Sequence, residues 1–103
     1  MTKKLVGKTR LFSSEISIYE EDILMKGLVG HSNFINNELL VHPVDNKDLY
    51  FETVMHEIVH LVLYKIGRSD LTEDEGFVEV FSNAISQAIS EYKEIEETTD
   101  EDE

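Results

Sequence analysis

Five consecutive residues, His56-Glu57-Ile58-Val59-His60, have the types and spacing that chemistry needs. On a helix, residues four apart stand one above the other, roughly 5–6 Å between Cβ atoms. Two imidazoles at that spacing converge on one Zn2+ with bonds of about 2.0–2.1 Å. The residue after the first His projects beside the open position of the metal, and a Glu there takes a proton from water whose pKa the ion lowers to about 7. This is the mechanical content of H-E-x-x-H. It makes His56 and His60 candidate metal ligands and Glu57 the candidate general base. Chance puts the pentad into a chain of this composition in only about 2% of shuffles. The alternative is three polar residues on an apolar helix, each costing about 1–3 kcal/mol if buried without a partner. Metal coordination removes that cost.

A catalytic zinc site needs a third protein ligand and a position left for water. No histidine follows His60, and His31 and His42 lie upstream. Downstream the candidates are carboxylates: Glu73, Asp74, Glu75, Glu79 and Glu91. Glu73 and Asp74 fall in a first helical turn, where the helix dipole favours acids. Glu75 has capping-box spacing from Thr72. Glu91 adjoins the charged tail. Glu79 sits in the apolar run GFVEVFSNAI and has no structural duty of this kind, so it is the expected third ligand, with Glu75 next. Asn83, one turn beyond Glu79, is placed to support its carboxylate. Gly76 costs about 1 kcal/mol in a helix and suggests another backbone nearby.

The elements that must position these groups are legible around them. TRLF (9–12), EISIYE (15–20) and NELLVHP (37–43) read as strands, the last closed by Pro43 and suited to a sheet edge. ILMKGLVG (23–30) is ambiguous, with Gly27 and Gly30 marking turns, and His31 in GHSN reads as a turn residue. His42 ends a strand. From residue 46 the pattern is helical: Asp45 or Asn46 offers an N-cap and Gly67 a C′ position. The intervening residues are apolar nearly all round, as in a helix buried on most sides. Tyr50 and Tyr64 flank it as core edges. A second helix is expected from Thr72 to about Tyr92, with Phe77, Phe81, Ala84 and Ala88 joining Val78, Ile85, Ile89 and Tyr92 in one broad apolar face. The expected fold is α+β: a small N-terminal antiparallel or mixed sheet followed by two packed helices.

The totals bound the rest. With 103 residues the chain is one domain, assigned to 1–93, and the acidic block 94–103 is expected to be disordered and solvated. There is no cysteine, which excludes disulfides and thiolate-ligated metal and fits a cytoplasmic setting. The basic start MTKKLVGKTR has no apolar segment behind it to make a signal peptide, and no run approaches a membrane span. A net charge of −13 argues against binding nucleic acid and mildly favours basic partners.

TVMHEIVHLVLYKIG…EDEGFVEVFSNAISQAI resembles the short HExxH proteins of bacteria, phages and prophages related to the ImmA/IrrE-type metallopeptidases. The likeness covers roughly residues 27–92, with GLVGHSNFINNELLVHP matching the strand-turn-strand that precedes the motif helix. The resemblance implies a minimal zincin-like, gluzincin-like fold, with zinc on His56 and His60, Glu57 as general base and a Glu of the last helix as third ligand. No counterpart of the larger members' helix-turn-helix or regulatory domain is present in this stretch. SprT-like proteins are more distantly similar, and their third His has no counterpart.

The leading expectation is a zinc-dependent metallopeptidase acting on a peptide or protein substrate, with the strand NELLVH offered for strand addition by an extended peptide. Two alternatives stand beside it. One is a non-catalytic, zinc-stabilised interaction module of phage or prophage origin. The other is an acidic interaction protein of the DNA-mimic type.

Overall fold

The computed structural model describes residues 3–23 and 29–95. Gly27 and residues 96–103 of the acidic tail, for which a turn and disorder are expected, lie outside them. Four strands and three helices follow in the order β1 (Lys4–Leu11), β2 (Ser14–Glu20), β3 (Gly30–Asn33), β4 (Glu38–Val41), α1 (Lys47–Lys65), α2 (Ser69–Thr72) and α3 (Glu75–Ser90). This is the α+β fold the sequence implies, with a one-turn helix added between the two long ones.

The sheet is mixed, in the order β1-β2-β4-β3. β1 and β2 form an antiparallel hairpin whose two-residue loop, Phe12 and Ser13, has φ of 51° and 73°. Positive φ at both loop residues matches the right-handed twist of the strands. β2 then pairs parallel with β4, and β4 antiparallel with β3. Two expectations change here. GHSN is a strand rather than a turn, so His31 lies on β3. The strand within NELLVHP is β4, which is flanked on both sides and has no free edge for an added peptide. Pro43 follows its last paired residue, Val41, and therefore never meets the ladder. The outer strand beside α1 is β3.

Helix α1 is packed on two faces, which explains its near-continuous apolar sequence. Leu61 joins Ile16 and Leu39 of the sheet in one fully buried cluster, with Val54 and Ile58 against it. Val59 and Leu63 meet Val78 of α3, with Leu71 alongside. Its ends are fixed locally. Asn46 Oδ1 accepts from the Leu49 amide at 3.0 Å. At the other end Gly67 has φ +80°, the Gly67 amide donates to Tyr64 O at 3.0 Å, and the Arg68 amide donates to Leu63 O at 2.8 Å. That is a Schellman stop, and it turns the chain back toward the motif residues.

The second long helix starts later than its capping-box spacing suggests. Asp74, not Thr72, is the N-cap of α3, accepting from the Phe77 amide at 3.0 Å. Thr72 belongs to α2, and its hydroxyl is turned into the core instead. Glu75, released from capping, is free for other work. Gly76 marks no close backbone approach: a Cβ there would meet only Asp74 Oδ1, at 3.5 Å.

Candidate metal centre

His56 and His60 lie one turn apart on the face of α1 that looks along a cleft of about 920 Å3 between β3, α1 and the start of α3. Their rings are 5.0 Å apart between centroids and inclined at 68°. Glu75, in the first turn of α3, reaches both: its Oε1 is 3.3 Å from His56 Nε2, and its Oε2 is 3.4 Å from His60 Nε2. Glu79, one turn on, approaches His56 from the other nitrogen, with Oε1 3.4 Å from Nδ1. The expected order of the two carboxylates is thus exchanged in space. Glu75 meets the two imidazoles on their converging side, while Glu79 stands behind one of them.

The far nitrogen of each ring has a partner of its own. Thr72 Oγ1 donates its single hydrogen to His60 O at 3.2 Å, so it accepts from His60 Nδ1–H at 2.9 Å. His60 Nε2 is then left with its lone pair outward. At His56 each ring nitrogen faces a carboxylate, Nδ1 that of Glu79 at 3.4 Å and Nε2 that of Glu75 at 3.3 Å. Asn83 Nδ2 lies 3.4 Å from Glu79 Oε2 and steadies that carboxylate, in the supporting role its position suggests.

Two imidazole nitrogens and a carboxylate border a common volume, their ligand atoms all within 4.8 Å of one another. In a tetrahedral site with bonds of about 2.0–2.1 Å, neighbouring ligand atoms stand about 3.3–3.4 Å apart. Each imidazole has one Glu75 oxygen at about that spacing, Oε1 at 3.3 Å from His56 and Oε2 at 3.4 Å from His60. The group His56, His60 and Glu75 has the donors and spacing to hold a metal ion. Thr72 and Glu79 each hold the far nitrogen of one imidazole, the arrangement that fixes tautomer and ring orientation around metals.

Glu57 is built in from the opposite side. It is only 8% exposed, and its carboxylate rests against Ser32 and Gly30 of strand β3. Ser32 Oγ lies 2.5 Å from Glu57 Oε1 and 3.0 Å from Glu57 O. The shorter contact is a hydroxyl-to-carboxyl hydrogen bond donated by Ser32. Gly30 makes the approach possible: a Cβ there would sit 2.8 Å from Glu57 Oε2 and 3.0 Å from Thr53 Cγ2. Strand β3 thus supplies a hydroxyl that positions the carboxylate and a gap that admits it. Neither Ser32 nor Gly30 was singled out for chemistry by the sequence pattern. A four-residue polar strand has no hydrophobic alternation to announce it.

The remaining candidates separate clearly. Glu73 and His31 line the cleft, as does Tyr64, whose ring stacks on Phe34 at 4.5 Å between centroids. His42 lies away from it, with Nδ1 3.5 Å from Asp22 Oδ1. Asp74 is occupied as a cap, and Glu91 closes the far end of α3. Among the described residues, no helix is long and apolar enough to cross a membrane. No protein-family model matches the chain, and neither the curated proteins nor the solved structures give a match.

Proposed function

We propose that this protein is a zinc-dependent peptidase of the HExxH type, with His56, His60 and Glu75 as metal ligands and Glu57 as general base. The observation that carries the reading is the convergence of His56 Nε2, His60 Nε2 and Glu75 in an open cleft that also holds the carboxylate of Glu57. Zn2+ in such a site supplies Lewis acidity, polarising a carbonyl and bringing the pKa of a water to about 7. The chain's own residues do the rest. Ser32 and Gly30 hold Glu57 in one orientation, so its carboxylate takes the proton of the attacking water as the oxygen adds to the peptide carbonyl carbon. Glu57 then passes that proton to the departing amine as the C–N bond breaks.

An extended peptide is the substrate that fits this cleft. β3 is the outer strand of the sheet on that side and carries Glu57's partners, so strand addition along β3 lays a scissile bond beside the carboxylate. Among the described residues the cleft wall includes Glu52, Glu73, Glu75 and Glu79 but neither Lys nor Arg, which favours basic peptides. The resemblance to the ImmA/IrrE-type metallopeptidases supports the same reading.

A second reading keeps the metal and drops the chemistry, leaving a zinc-stabilised interaction module. The exposed aromatic face of α3, described below, favours it. Glu57→Gln separates the two. In the zinc-loaded protein this variant should retain one equivalent of metal and lose about 10²–10⁴-fold in the rate of peptide-library cleavage. Equal cleavage by the variant, or none by the parent protein, removes the peptidase reading.

A further inference from the structure

Helix α3 is turned inside out relative to its sequence. The side chains it buries are Val78, Ser82 and Ser86. Its aromatic residues face outward instead, with Phe77 36%, Phe81 44% and Val80 71% exposed. The expected single apolar face is therefore split, and its larger part is left without cover among the described residues. Phe77 and Phe81 stack on one another, 5.5 Å between centroids and 10° between planes. They continue into Ala84 and Ala88 along one line of the helix, at i, i+4, i+7 and i+11, with Val80 beside them. Large residues at one end and small ones at the other make a surface into which another helix packs closely.

Charge selects the occupant. Between Arg68 and Lys93 the chain contains no Lys or Arg, while Asp74 and Glu91 bracket the apolar line. The C-terminal turn of α3 has no basic residue to balance its dipole. A second copy would bring the same acidic brackets together on chains of net charge −13. The tail EETTDEDE, residues 96–103, has no apolar side chain with which to cover the face. We infer that the outer face of α3, formed by Phe77, Val80, Phe81, Ala84 and Ala88, docks a basic amphipathic helix of a partner protein. The partner's apolar stripe lies on Phe77, Phe81 and the two alanines, and its Lys or Arg residues meet the acidic brackets. The surface is distinct from the metal cleft, so docking and any cleavage are separable.

The test uses the full chain and two labelled 18-residue peptides of identical Leu/Lys composition. One has Leu at i, i+3, i+4 and i+7 spacing, and the other is scrambled so that no stripe forms. Fluorescence anisotropy near physiological ionic strength should give at least tenfold tighter binding of the striped peptide. Val80→Lys changes a largely exposed side chain and leaves folding intact, and it should weaken that binding at least tenfold. The double variant Phe77→Ser, Phe81→Ser, checked by circular dichroism, should do the same. Equal affinity for the two peptides, or binding insensitive to Val80→Lys, overturns the inference. So does a concentration-dependent dimer in sedimentation velocity that Val80→Lys abolishes, because the face then belongs to a second copy.

Discussion

Replacing Thr72 by Val removes one oxygen from the heart of the site and leaves the side-chain shape nearly unchanged. Thr72 Oγ1 accepts from His60 Nδ1 at 2.9 Å and donates to His60 O at 3.2 Å, and both residues are buried. Without the hydroxyl, a buried N–H loses its acceptor, at a cost of about 1–3 kcal/mol. That part falls on the folded protein with or without metal. A second effect concerns the metal alone. With Nδ1 unpaired, the His60 ring is free to turn and to protonate at Nε2, so its lone pair no longer waits in the direction of Glu75. Loss of such a supporting bond weakens metal binding by about 10–100-fold. Competition titration against a fluorescent zinc chelator reads that change, and urea unfolding of the metal-free protein reads the first. Thr72→Ser keeps the oxygen and should restore most of both. If Thr72→Val holds zinc as tightly as the parent while its stability falls, Thr72 is a core hydrogen bond with no part in the metal site, and the tautomer argument fails.

Two further substitutions probe the surroundings. Gly30→Ala sets a methyl group 2.8 Å from Glu57 Oε2 and 3.1 Å from its Cγ, so the carboxylate must move. A displacement of about 1 Å costs on the order of 10²-fold in turnover, with zinc affinity unchanged, and assaying both quantities separates a misplaced base from a damaged metal site. Burial, followed by the hydrogen bond to Glu20, pushes the Tyr50 phenol up to about 12. The folded state thus disfavours the phenolate. The resulting stability is present below the unfolded pKa of about 10 and is lost as pH rises toward 12. Urea unfolding at both ends of that range should show a steeper loss in the parent than in Tyr50→Phe; parallel losses would exclude Tyr50 as the source.

The legible part of this structure is the part written in periodicity. An apolar run with polar interruptions at residues 56, 57 and 60, bounded by Asn46 and Gly67, specifies both α1 and the candidate site on it. Capping was less legible, because Thr72 and Asp74 both offer side-chain oxygens near the start of α3. Thr72 with Glu75 has the better spacing on paper. In the fold, α2 takes Thr72 to His60 and leaves the cap to Asp74. With Asp74 as cap, Glu75 lies beside both imidazoles, while Glu79 meets His56 alone. Residue pattern alone reads His31 as a turn because Gly30, His31, Ser32 and Asn33 have little strand propensity, and tertiary pairing with β4 decides their conformation. The outward aromatic face of α3 is invisible to a reading that assumes apolar faces point inward.

The claim on which everything rests is that His56, His60 and Glu75 share one metal ion, with Glu79 acting through His56. The zinc dissociation constants of the parent protein, Glu75→Gln and Glu79→Gln, measured in one competition series, test it most directly. A stoichiometry of one ion per chain is expected, with binding weakened more than 100-fold in Glu75→Gln and about tenfold in Glu79→Gln. Binding lost in Glu79→Gln but retained in Glu75→Gln, or no binding by the parent protein, would contradict the account.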